Sequence, residues 1–347
     1  MMRFSNWLVV LVLSSCVAAP VAAHAQAAAP APAATAPQSV IADVRAAIAK
    51  GDFAGGEQTL ATYRKTRGTT PEALEAMSWL GRGALAAKQL DKAEDYALQT
   101  YDLCVEALKT RKMDDEPRLP IAIGAAIEVR ANVHAQRGAL ADAVHLLQEE
   151  LATYRATSIR MRLQKNINLL SLEGKAAPAL EFADYLGPKP VSLAALKGKP
   201  VIVFVWAPWC PDCKAMSGTI EKLLTSYRGQ GLTVISPTQR YGYVASRKTA
   251  PPSEETPYIE RIRNESYAWM AKESVPVSEE NFRNYGASTT PTVVLVDRAG
   301  IVRLYHPGQM TFDELEPLVK ALVAGKATNV AAREAPSPLR AGSSRTR

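Results

Sequence analysis

Cys210 and Cys213 stand two residues apart in the run Trp206-Ala207-Pro208-Trp209-Cys210-Pro211-Asp212-Cys213-Lys214. Cysteines at this spacing can form a reversible disulfide couple, half of a zinc site, or a static cross-link. Zinc needs two further nitrogen or sulfur ligands, and the chain offers Cys16, Cys104 and four scattered histidines, none paired at ligand spacing. A static cross-link leaves the flanking tryptophans without a purpose. Peroxidase chemistry needs Pro-x-x-x-Thr/Ser-x-x-Cys; those offsets hold Val203 and Ala207 before Cys210, and Trp206 and Cys210 before Cys213.

What the cysteines do depends on the elements that carry them. Val201-Ile202-Val203-Phe204-Val205-Trp206 is a continuous apolar run bounded by Gly198-Lys199-Pro200 and Pro208, the pattern of a central strand buried on both faces. A helix is predicted from about residue 210 to residue 227. At a helix start, unpaired N–H groups and the positive end of the dipole stabilise a thiolate. Cys210 is therefore the predicted nucleophile, with a depressed pKa. Cys213, one turn further in, is placed to resolve a mixed disulfide, because two intervening residues let both sulfurs face the same helix end. The negative charge of Asp212 opposes thiolate formation and pushes the couple towards reducing behaviour, modestly if that carboxylate is exposed.

The surrounding pattern is strand and helix in alternation. A second strand is predicted over residues 232–236 and a second helix over 259–272. Residues 292–296 turn at Asp297-Arg298-Ala299-Gly300 into residues 301–305 as an antiparallel hairpin, and a last helix runs from Thr311, a candidate N-cap, to Val323. This order predicts an α/β domain with a mixed central sheet.

Residues 38–172 have a different texture, with almost no β signal and apolar residues at helical spacing. An all-α domain is predicted there. A faint repeat runs through it, with Phe53, Leu90 and Leu140 each opening a helix after a short polar turn, the second gap stretched by the loop at 112–117. The pattern resembles degenerate tetratricopeptide units, Trp79-Leu80-Gly81 included, although an irregular helical bundle fits the same residues. His134, His145 and Cys104 are expected to be ordinary helix residues.

Residues 176–325 resemble the thioredoxin superfamily, and within it the exported TlpA/ResA-like thiol–disulfide oxidoreductases. The resemblance rests on Val191-Ser192-Leu193-Ala194-Ala195-Leu196-Lys197-Gly198-Lys199-Pro200 before the strand, on the Trp-Ala-x-Trp-Cys-x-x-Cys-Lys block, and on Thr290-Pro291-Thr292 before the hairpin. It implies a cis peptide bond at Pro291 beside the disulfide, with substrate received along the backbone at Thr290 and against Trp209. Pro211 and Asp212 would tune the couple, and no cofactor or metal is implied. Two departures concern a buried acid that many members keep near the resolving cysteine: its usual positions hold Phe204 and Met216 here. A third is length, since residues 239–257, with Tyr241 and Tyr243, read as an inserted loop that is either a solvated surface or a substrate contact.

The first 25 residues read as an export signal, with Arg3, an apolar run from Trp7 to Leu13, and Ala23-His24-Ala25 as the cleavage pattern. A competing reading takes Leu13-Ser14-Ser15-Cys16 as a lipobox, with lipid anchoring through Cys16. Residues 26–37 are an Ala/Pro-rich linker, and residues 327–347 are predicted to be a disordered tail. The chain has 347 residues, 47% hydrophobic and 22% charged, which suits two globular domains and excludes wholesale disorder. Its net charge of +7 is not gathered into a continuous Lys/Arg stripe, so nucleic acid is not an expected partner.

With the export signal, the resemblance implies a periplasmic protein-disulfide reductase, the motif alone not setting the direction. Its partners would be disulfide-containing client proteins and a thiol donor such as a membrane disulfide reductase. The alternatives are an oxidant in the same place, or a helical-repeat partner-binding or chaperone protein in which the redox domain is subsidiary.

Overall fold

Three short turns organise the helical part of the computed structural model, which describes residues 39–325. The expected signal with Cys16, the linker and the tail lie outside the described residues. In order, α1 (Val40–Ala49), α2 (Phe53–Arg67), α3 (Pro71–Ala86), α4 (Leu90–Leu108), α5 (Leu119–Gln136), α6 (Leu140–Thr153) and α7 (Arg160–Ser171) follow one another. Phe53, Leu90 and Leu140 are the first residues of α2, α4 and α6, where the faint repeat places them. Each hairpin turns on one left-handed residue, Gly51 (φ 76°), Lys88 (φ 58°) and Gly138 (φ 85°). Glycine adopts that conformation without steric cost, whereas a residue with a Cβ pays on the order of 1 kcal/mol. The odd-numbered helices form a wall, α3 against α1 and α5, and α5 against α7. A core of Leu74, Leu119, Ile123, Ile127, Leu147 and Leu163 fills the space behind α5.

The second part comprises β1 (Tyr185–Leu186), β2 (Val201–Val205), α8 (Pro211–Tyr227), β3 (Thr233–Ile235), α9 (Pro252–Ser266), β4 (Val275–Pro276), α10 (Glu279–Asn284), β5 (Thr292–Val296), β6 (Val302–Pro307) and α11 (Phe312–Val323). Its main sheet has the order β3-β2-β5-β6, with β2 parallel to β3 and antiparallel to β5. The sheet is therefore mixed. Alternate residues of β2 serve opposite cores: Ile202 and Phe204 pack with α8, α9 and α11, while Val201, Val203 and Val205 pack with Phe282, Tyr285 and Leu172. Burial on both faces is why this strand is an unbroken apolar run. Thr311 caps α11 in a capping box with Glu314.

The second sheet face is where the helical part docks. Met161 and Leu169 of α7 pack against the cluster containing Phe282 and Tyr285. Tyr305 donates its backbone N–H to Glu173 (3.0 Å), and Asn168 donates to the Asn284 carbonyl (3.4 Å). Gly286 (φ 57°) lets the two backbones meet, since a Cβ there would lie 2.3 Å from Lys165 N.

The sequence pattern misplaces one helix. Instead of spanning 259–272, α9 begins at Pro252 and ends at Ser266, followed by a 3₁₀ turn at Ala268–Lys272. The inserted loop is correspondingly shorter. Pro252 as first helical residue, followed by Glu254 and Glu255 in the first turn, is a regular helix start, and Pro257 is accommodated one turn in.

Candidate active site

Strand β2 delivers the site. After Val205 the chain passes through Trp206, whose ring is buried against Tyr267 (centroids 4.7 Å apart) and whose indole N–H donates to the Ser236 carbonyl at 3.1 Å. This anchoring fixes the turn that presents Cys210 as the N-cap of α8, with Pro211 at the first helical position. Proline suits that place because its fixed φ matches the helix and its missing N–H would be unpaired anyway.

Cys210 and Cys213 are disulfide-bonded, their Cα atoms 5.3 Å apart. Cys213 donates its backbone N–H to Cys210 Sγ at 3.1 Å, so the helix end is aimed at the first sulfur. Cys210 Sγ also lies 3.3 Å from the Thr290 carbonyl oxygen, a contact that becomes a hydrogen bond when the sulfur carries a proton. The Thr290–Pro291 peptide bond is cis. The structure therefore gathers Cys210, Cys213 and Thr290 at one point, with Pro291 next in the chain and buried.

Little of this is open to water. Cys213 is wholly buried and Cys210 is 2% exposed, whereas Trp209 beside them is 46% exposed. Asp212 is also exposed. Behind the disulfide, Phe204, Met216 and Ile220 belong to the same apolar cluster as Cys213, so both positions that hold an acid elsewhere are apolar and buried. The Tyr267 hydroxyl of this cluster is buried without a hydrogen-bond partner among the described residues and held neutral because burial pushes its pKa up. Among the described residues no group of three potential metal-binding side chains comes together.

The loop between β3 and α9 reaches the site. Tyr241 meets Trp209 edge-on (centroids 5.5 Å) and Phe282 in the same manner (6.1 Å), with Tyr243 beside it at 5.9 Å. The loop is tied down by Glu255, a carboxylate 1% exposed that accepts the backbone N–H groups of Tyr241 and Gly242. Sequence reasoning passed over Glu255. The helix-start pattern Pro252-Ser253-Glu254-Glu255 was the signal that could have found it, because an acid in a first helical turn commonly accepts N–H groups.

Residues 189–322 match the family described as Thioredoxin-like domain. The chain is 26% identical over 149 residues to the thiol-disulfide oxidoreductase ResA of Bacillus thuringiensis, covering 43% of this chain and 78% of that protein. It is 29% identical over 154 residues to the thiol:disulfide interchange protein DsbE of Escherichia coli, covering 43% and 74%. A solved structure described as a DsbE-type interchange protein from Chlorobium tepidum is 24% identical, with a TM-score of 0.34, covering 44% of this chain and 97% of that one.

Proposed function

With residues 189–322 folded as a thioredoxin-like domain, we propose that this protein is an exported protein-disulfide reductase whose working couple is Cys210–Cys213. The observation that carries the reading is the placement of the pair: the first sulfur at the start of α8, receiving the Cys213 N–H, and facing the Thr290 carbonyl. In the reduced protein the Cys210 thiolate attacks one sulfur of a client disulfide and expels the other as a thiolate. Cys213, deprotonated, then attacks Cys210 Sγ. The client leaves with both cysteines reduced, and the protein keeps the disulfide until a dithiol donor returns two electrons and two protons. An extended client strand lies along Thr290, with exposed Trp209 as its apolar support.

The apolar surroundings favour the reducing direction. A thiolate among Phe204, Met216 and Ile220 is poorly solvated, and exposed Asp212 adds a like charge nearby, so the reduced form gains little stabilisation. Couples with a stabilised reduced form are oxidants; here the apolar burial and Asp212 work against the stabilisation that the start of α8 gives Cys210, and so favour a reductant. Export and a location outside the cytoplasm rest on the pattern of residues 1–25.

Trapping tests the reading. Cys213→Ser expressed with its signal should accumulate client proteins as mixed disulfides on Cys210, released by dithiothreitol, and Cys210→Ser should accumulate none. Equal trapping by both variants would refute the assigned order of attack.

A further inference from the structure

The segment between β3 and α9 carries an arm beside the disulfide. Tyr243 bridges Thr249, the Val244 N–H donates to the Lys248 carbonyl at 2.8 Å, and the Ala250 N–H donates to the Gly242 carbonyl at 3.0 Å, so residues 242–250 make a small antiparallel hairpin. The Lys248 N–H closes the turn on the Ala245 carbonyl at 3.3 Å, and the two central residues, Ser246 and Arg247, are left-handed, each with φ of 58°. Hairpins ordinarily place asparagine or glycine there. Arg247 holds that position at a steric cost and puts a guanidinium at the exposed tip, where glycine would put nothing.

Rings line the base of the arm and charge marks its tip. Trp209, Tyr241 and Tyr243 follow one another with centroids 5.5 and 5.9 Å apart. Each step spans nearly two residues of extended chain at ~3.3 Å per residue. Burial raises the Tyr243 hydroxyl pKa and the Arg247 charge draws it back, so the guanidinium lies near the last ring. Arg247 and Lys248 are exposed, and among the described residues neither side chain has an ion-pair partner. Carboxylates that could neutralise them are otherwise engaged: Glu255 accepts the N–H groups of Tyr241 and Gly242, and Asp184 pairs with Arg240. Exposed Asp212 and Glu254 stand in the first turns of α8 and α9, where helix N–H groups offset their charge.

We propose that this arm reads the client, and that the clients it favours carry a large apolar side chain next to the reactive cysteine and an acidic residue about four positions from it. This selectivity rests on the reductase role of Cys210–Cys213. A client chain passing Thr290 lays the apolar side chain on Trp209 and Tyr241, and its carboxylate reaches Arg247 and Lys248 past Tyr243. The rings supply contact area, while the exposed charges act mainly on the rate of encounter. Selection is thus made before the chemistry at sulfur, which is the same for every disulfide.

The test has the reduced full chain act on acetyl-Glu-Glu-Gly-Phe-Cys-Phe-Gly-Glu-Glu-amide, whose cysteine carries 2-mercaptoethanol as a mixed disulfide. Each turnover gives the free peptide thiol, 2-mercaptoethanol and the Cys210–Cys213 disulfide, followed by mass spectrometry. Matched peptides carry glutamine or lysine in place of glutamate, or glycine in place of phenylalanine. At low ionic strength the glutamate peptide should react about fivefold faster than the glutamine peptide, and the lysine peptide should be slowest. Glycine for phenylalanine should slow the reaction severalfold. The double variant Arg247→Gln/Lys248→Gln should lose the charge preference, and Arg247→Glu/Lys248→Glu should reverse it, a reversal that misfolding cannot mimic. Equal rates for the three charge forms, no loss with glycine, or an unchanged preference in both variants overturns the proposal while leaving the redox couple standing. Absence of Cys210-dependent exchange even with bis(2-hydroxyethyl) disulfide overturns the reductase reading and the selectivity with it.

Discussion

Trp209, 46% exposed beside the disulfide, rests edge-on against Tyr241, a residue of the loop that Glu255 fastens from below. The active-site tryptophan is thus braced by a segment remote from it in the sequence. An aromatic pair of this kind contributes about 1 kcal/mol beyond its area. Tyr241→Ala is expected to lower kcat/KM for reduction of a protein disulfide severalfold while leaving exchange with dithiothreitol unchanged. Stopped-flow tryptophan fluorescence measures both, and an equal loss with the small dithiol would mean that the loop does not face the client.

Gly286, just after α10, lies against the backbone of α7 at Lys165. Alanine there must keep φ at 57° and also place its Cβ 2.3 Å from Lys165 N, so one of the two backbones has to move. The left-handed conformation and the overlap together should cost about 3 kcal/mol. Urea denaturation of Gly286→Ala should show a lower midpoint, and limited proteolysis should cut sooner between residues 172 and 180. An unchanged midpoint would show that the contact carries no strain.

Acid should weaken the helical part through Glu128. Burial raises its carboxyl pKa, but Arg162, Lys165 and Arg82 outweigh that and hold it down at about 2, against an ordinary 4.5. Since the folded-state value is the lower one, this contribution is complete above about pH 4.5 and is lost as pH falls towards 2. Glu128→Gln should cost about 3 kcal/mol at pH 7, because it strands Arg162 and Lys165. Its stability should also fall less than wild type between pH 4.5 and pH 2, as followed by urea titrations across that range. Parallel pH profiles for the two proteins would remove Glu128 from this role.

Much of the architecture could be read from sequence because its signals were local. The unbroken apolar run of β2, the Pro after Cys210, the Asp297–Gly300 turn and the Thr311–Glu314 box each specify their element within a few residues. So did the turns before Phe53, Leu90 and Leu140. What escaped was built from distant pieces. Strands β1 and β4 are two residues each and show no alternation, and α10 is six residues long, too short for periodicity. Tyr241 could be seen as aromatic but not as the brace of Trp209. Arg45 of α1 and Arg82 of α3 both stack on the Trp79 ring, a grouping that no short window of sequence contains.

The central claim is a reducing Cys210–Cys213 couple, and its reduction potential tests it most directly. The full chain would be equilibrated across a dithiothreitol series, alkylated and counted by mass spectrometry, with Cys210→Ser as control. Cys104 does not interfere, because it is buried and its thiol is pushed up to about 12 by burial, so it stays unlabelled in the folded protein. The account predicts a single two-electron transition at about −250 mV or below. A transition near −120 mV, or none that depends on Cys210, would contradict it.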